Sequence, residues 1–126
     1  MKEQQKERKS RMSGVHYCFI ARDSDMIVFE KLVNRQLNQN QLTNEAVRMV
    51  SELEKVEENQ REEFTKVSME SMAASASVEC HLMFSTVFIG LVTSMGYGSE
   101  AAERFLKEMH QAITNHYADN LVFIKR

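Results

Sequence analysis

The sequence contains no proline, only two cysteines, and no long hydrophobic run. Without proline, nothing rigid interrupts the chain, which agrees with compact elements joined by short turns. Cys18 and Cys80 lie inside apolar segments and lack CxxC spacing, so two buried, reduced thiols are expected instead of a disulfide framework. The longest apolar run, Val87 to Val92, is about a third of the roughly 20 residues that a membrane-spanning helix needs. The N-terminus is charged throughout and has no apolar h-region, so no secretory signal is read there. The formal net charge is only −2, which argues against a nucleic-acid partner. These absences point to the cytosol or nucleus.

Catalytic signatures are missing as well. There is no GxGxxG, P-loop, GxSxG or HExxH motif. Gly96-Tyr97-Gly98 lacks the third glycine and following acid of a dinucleotide site, and reads as a bend. His110 and His116 fall on different faces of the last helix. His16 with Cys18, and Cys80 with His81, would supply soft ligands from two strands, but a zinc site needs three or four convergent ligands. They are expected to be partly buried structural residues. The carboxylates cluster in the first helix and the loop after it, where solvation is expected, whereas proton-transfer chemistry calls for burial or a specific charge partner. The expectation is therefore a chain that is not an enzyme and holds no cofactor or metal.

What is present is the composition of one globular domain: 126 residues, 43% hydrophobic and 27% charged. Residues 1–13 carry five Lys or Arg against two Glu and almost no apolar side chain, so they read as a mobile charged arm. Such an arm could also meet an acidic membrane surface. Val15 to Ala21 alternates, with Val15, Tyr17, Phe19 and Ala21 on one face and His16, Cys18 and Ile20 on the other. Both faces are largely apolar, which predicts a central strand. After the polar turn Arg22 to Asp25, Met26 to Val33 is the second strand of a hairpin, with Glu30 and Lys31 breaking its apolar run as at a sheet edge.

The Asn/Gln-rich stretch Asn34 to Gln41 reads as a loop, and Thr43 as the N-cap of a helix from Asn44 to about Glu58. Ala46, Val47, Met49, Val50, Leu53 and Val56 form its apolar stripe. The acidic run Glu57 to Glu63 reads as a solvated face and loop. Three strands with short turns follow, at Phe64 to Met72, Val78 to Phe84 and Val87 to Ser94, as an antiparallel meander. Ser99 caps the last helix, whose stripe is Ala102, Phe105, Leu106, Met109, Ala112, Ile113 and Tyr117. Leu121 to Ile124 and the closing Lys125-Arg126 form a C-terminal tail.

The predicted fold is α+β, a five-stranded antiparallel sheet between helices in the order β-β-α-β-β-β-α, with the domain at 14–120 and a tail at 121–126. Tyr17-Cys18-Phe19-Ile20-Ala21-Arg22 followed by Ile27-Val28-Phe29 resembles the opening hairpin of longin domains, a profilin-like fold. Val78 through Ser94, then Ser99-Glu100-Ala101-Ala102 and Phe105-Leu106, resembles that family's last hairpin and long helix. Longin domains head vesicle SNAREs and build coat-adaptor and tethering-complex small subunits. Roadblock domains share related layering, but begin with a helix for which the charged arm is a poor candidate.

The resemblance implies a non-catalytic protein-interaction domain in vesicle trafficking that regulates a SNARE or its sorting. Ala46, Val50 and Leu53 of the first helix, with Val67 and Met69 of the third strand, would line an apolar docking groove. The alternatives are a structural small subunit of a coat-adaptor or tethering complex, sedlin-like, or a roadblock-like GTPase-associated scaffold. The implied partners are SNARE, coat or tethering proteins. The implied location is the cytosolic face of the ER, Golgi or endosomal membranes, with peripheral but no spanning membrane contact.

Overall fold

A strand that is apolar on both faces needs cover on both sides. The computed structural model describes residues 14–117, apart from the side chains of His116 and Tyr117. In chain order these form β1 (Val15–Asp23), β2 (Met26–Leu32), α1 (Gln39–Glu54), a 3-10 turn (Glu58–Gln60), β3 (Phe64–Ser71), β4 (Ala76–Phe84), β5 (Phe88–Ser94) and α2 (Ser99–Tyr117). The expected arm at 1–13 and tail at 121–126 lie outside the described residues. The fold is α+β, with all neighbouring strands antiparallel in the order β2-β1-β5-β4-β3. The 3-10 turn is an element that the expected order lacks.

Two apolar clusters lie on the two faces of the sheet. Tyr17, Phe19, Val78, Cys80 and Val92 pack with Leu42, Ala46 and Val50 of α1. Cys18, Ile20, Met83, Ile89 and Leu91 pack with Ala102, Leu106 and Ile113 of α2. A fully buried Leu or Val side chain contributes about 1.5–3 kcal/mol, so these stripes hold both helices to the sheet. Ala112, expected in the second stripe, is exposed. It sits at the edge of the helical face, beyond the arc that touches β4 and β5.

Val15 departs from the expected alternation. It packs in the α2-side cluster with Cys18 and Ile20, not with Tyr17 and Phe19. The cause is an irregularity in the β1–β5 ladder, where Val15 pairs with Thr93 and Tyr17 with the adjacent Val92. One extra residue on β1 inverts the side-chain phase before it. Gly90, opposite Phe19, leaves room for that ring: a Cβ there would stand 2.0 Å from Phe19 Cε1.

The first helix starts earlier than Thr43. Asn38 is its N-cap, and its side chain accepts from the Gln41 N–H at 3.2 Å, so the Asn/Gln-rich stretch is part loop and part first turn. Leu42 is thereby brought into the core, fully buried. The Thr43 hydroxyl instead meets the Gln39 carbonyl at 2.9 Å and the Glu30 carboxylate. The bend before α2 forms as expected, with Gly96 and Gly98 in the left-handed region at φ 84° and 100°. The Gly98 carbonyl accepts from Ala102 N–H at 3.1 Å, so Gly98 holds the cap position and Ser99 is the first residue of the helix.

Candidate functional site

β3 is an edge strand that pairs, among the described residues, only with β4, so its outer backbone groups have no strand partner there. Thr65, Val67 and Met69 point to the α1 face, opposite Leu82, Cys80 and Val78. α1, however, packs chiefly on β1 and β2. The offset leaves a groove of about 310 Å³ between the helix and the edge strand. Met49 and Leu53 form its helix wall, Val67 and Met69 its strand wall, and Arg48 and Glu52 its polar rim.

Leu53, Val67 and Met69 therefore stand where the docking groove was expected. Leu53 and Met69 are half-buried, and Val67 is 41% exposed. Ala46 and Val50 do not reach it. Both are 0% exposed and belong to the core under α1. The helix presents a stripe, and its middle meets β1 while only its flank meets the groove. Met49, not chosen from the sequence, takes their place, because position 49 falls on the same flank as 53.

Hydrogen bonds hold the two ends of the groove. At one end the Ser71 hydroxyl donates to the Glu45 carboxylate at 2.7 Å, and accepts from Ala74 N–H at 3.2 Å. This joins α1 to the turn between β3 and β4. At the other end the Arg61 guanidinium donates to the carbonyls of Leu53 (3.1 Å) and Val56 (3.0 Å). The Leu53 carbonyl lies in the last turn of α1 and the Val56 carbonyl just past its end, where a cation also complements the helix dipole. Arg61 was read only as part of a solvated acidic run. The available signal was a lone base among Glu57, Glu58, Glu62 and Glu63, just past a helix end.

Both thiols are buried and held away from the thiolate form. Cys80 Sγ lies 3.1 Å from Met69 Sδ, and burial, with the Glu45 charge, pushes its pKa up to about 12. Burial also raises Cys18, with Lys31 opposing. A low-pKa, exposed thiolate is what reactivity requires. The soft pair Cys80–His81 suggested by sequence proximity does not assemble. Cys80 faces α1, while His81 lies with Lys66, Ser99 and Leu106 on the α2 side. Among the described residues no three His, Cys, Asp or Glu side chains converge to hold a metal.

Two polar clusters lie beyond the groove. Ser94 Oγ, His16 and Asn34 form a chain, at 3.1 Å to Nε2 and 3.3 Å to Nδ1. It has the outline of a nucleophile, base and orienting group. The Asn34 oxygen accepts from Gln36 N–H at 3.2 Å, so its NH2 faces the ring. Nδ1 is then the acceptor and Nε2–H donates to Ser94, the wrong tautomer for a base acting on that serine. Burial lowers the His16 pKa, which favours this neutral ring. The chain therefore fastens β1 to β5 and to the loop after β2.

The second cluster centres on Glu79, whose side chain is 7% exposed. Its Oε1 accepts from Gly96 N–H at 3.4 Å and lies 3.7 Å from Lys66 Nζ. Its Oε2 has no hydrogen-bond partner and lies 3.3 Å from His81 Nε2. His81 also meets Thr93 Oγ1 at 3.3 Å. This cluster joins β3, β4, β5 and the glycine bend. Among the described residues no helix is long and apolar enough to cross a membrane. No protein-family model, no curated protein and no solved structure matches the chain.

Proposed function

We propose that this chain is a longin-like, non-catalytic protein-interaction domain of vesicle trafficking, and that its groove between α1 and β3 receives an extended segment of a SNARE, coat or tethering protein. The observation that carries the reading is one of position. An apolar groove lined by Leu53, Val67 and Met69 runs beside the edge of β3 that has no strand partner among the described residues. A partner strand adding to that edge would gain main-chain hydrogen bonds, and alternate side chains would enter the groove. The connection at one mouth of the groove holds Glu57, Glu58, Glu62 and Glu63 against Lys55 and Arg61. The fitting segment therefore has apolar residues at every second position and a basic flank. Residence at the cytosolic face of ER, Golgi or endosomal membranes follows from this reading.

The test is a titration of the full chain with labelled SNARE, coat and tether peptides of that pattern, followed by fluorescence anisotropy. Val67→Lys places a charge in the strand wall at a position already partly in water, so the fold should survive. Binding should weaken by about tenfold or more. Unchanged affinity in Val67→Lys and in Leu53→Lys, with native circular dichroism, would sink the groove.

A further inference from the structure

We propose that the sulfur atoms of Cys80, Met69 and Met49, gathered at the floor of the groove between α1 and β3, form a binding site for the soft monovalent ion Cu(I). The inference does not depend on whether the groove also receives a protein. The Cys80 S–H donates to Met69 Sδ at 3.1 Å. Metal–sulfur bonds are about 2.3 Å long, so two sulfurs this close both reach a single ion. Met69 lines the groove from β3 and Met49 lines it from α1. Both pack in the cluster that holds Cys80.

Register and helical spacing place the three sulfurs. Val67 lies opposite Cys80 and Met69 opposite Val78, so Met69 and Cys80 are diagonal neighbours on the α1 face. The charges of Glu45 and Arg48 act on the Cys80 thiol, and Met49 follows Glu45 by one helical turn. The flank of α1 that carries Met49 therefore lies over Cys80. Cys80 is fully buried and Met49 nearly so, while Met69 is half-buried. The groove gives an ion its way in, and the rotatable bonds of methionine let the thioethers close around it.

Softness and charge select the ion. Thiolate and thioether sulfurs suit Cu(I), whereas magnesium and calcium seek oxygen. One thiolate and two neutral thioethers cancel a single positive charge, so a monovalent ion is buried as a neutral unit. Zinc would leave a net charge beside Ala46 and Val50, which burial penalises. The Glu45 and Arg48 charges oppose each other at Cys80 and do not remove that penalty. Burial keeps the thiol protonated when no ion is bound. On binding, the S–H bond breaks, the proton leaves to solvent, and the freed sulfur electron pair bonds Cu(I) with no change of oxidation state. Cys18 packs on the α2 face, away from this groove.

The experiment is an anaerobic titration of the full chain with Cu(I), kept reduced by ascorbate, in competition with a chromophoric Cu(I) chelator. Binding with a Kd tighter than about 1 µM is expected. Met69→Leu and Met49→Leu nearly conserve volume, so the fold should survive. Each should weaken binding about tenfold or more, and Cys80→Ser about a hundredfold or more. Met69→Leu decides if Cys80→Ser fails to fold. Cys18→Ser should bind as the native chain does. Ag(I), a monovalent ion without redox chemistry here, should show the same order of variants, and Zn(II) should not displace it. A Kd weaker than about 1 µM overturns the proposal. So does an affinity unchanged in both Cys80→Ser and Met69→Leu, or a site from which Zn(II) displaces Ag(I).

Discussion

The Arg61 guanidinium carbon stands 4.8 Å above the centre of the Phe84 ring, while its Nε donates to the carbonyls of Leu53, in the last turn of α1, and Val56, just past it. One side chain thus ties the C-terminal end of the helix to the end of β4, with the Phe88 ring also in reach at 5.5 Å. The acidic connection folds around this contact, since Phe84 N–H donates to the Glu63 carbonyl at 2.9 Å.

Removing that side chain should be costly for a residue so near the surface. Arg61→Ala loses the hydrogen bonds to carbonyl groups and the cation–π contact, together about 2 kcal/mol. Arg61→Lys keeps the charge but not the planar fork, and should recover only part of the loss. Urea unfolding of the three proteins, read as midpoints at equal slope, checks the order.

Gly90 should not tolerate the smallest side chain. A Cβ at 2.0 Å from the Phe19 ring forces that buried ring, or β5 itself, to move. Gly90→Ala should destabilise by about 1–3 kcal/mol, visible as a lower thermal midpoint. Gly96→Ala is a useful contrast. It meets nothing within 4 Å and suffers only from its left-handed backbone.

Stability should fall on mild acidification. Burial lowers the pKa of both His16 and His81 below the ordinary 6.5. At His81 the Glu79 charge and hydrogen bond and the Glu103 charge oppose this, while Lys66 adds to it. The unfolded chain therefore binds protons near pH 6.5 that the folded chain refuses. The contribution is complete above pH 6.5 and is lost as pH falls below it toward the folded pKa values. His16→Gln and His81→Gln should each flatten the rise in stability between pH 5 and 7, measured by urea midpoints at several pH values.

The groove was legible in part, and its errors have one cause. Val67 and Met69 were read from a period-2 alternation on β3, and Leu53 from the helical stripe of α1. Ala46 and Val50 came from the same stripe but fell into the core. Periodicity identifies which side of a helix is apolar, but not where along the sheet that side is set down. The displacement of α1 toward β1 and β2 separates core positions from groove positions, and it arises from packing against residues more than ten positions away. The bulge that moved Val15 to the other face is of the same kind, since it exists only in the pairing with β5.

By itself the sequence determined the local choices: which segments alternate, which recur at helical spacing, and where Gly96 and Gly98 permit a bend. These follow from side-chain volume, polarity and backbone freedom, which each residue carries with it. The tertiary structure alone decided which strands became edges, which polar side chains were drawn together at Glu79 and Arg61, and which apolar residues were left exposed on β2. Those outcomes depend on strand order and helix placement, which emerge when all the elements compete for the same two faces of one sheet.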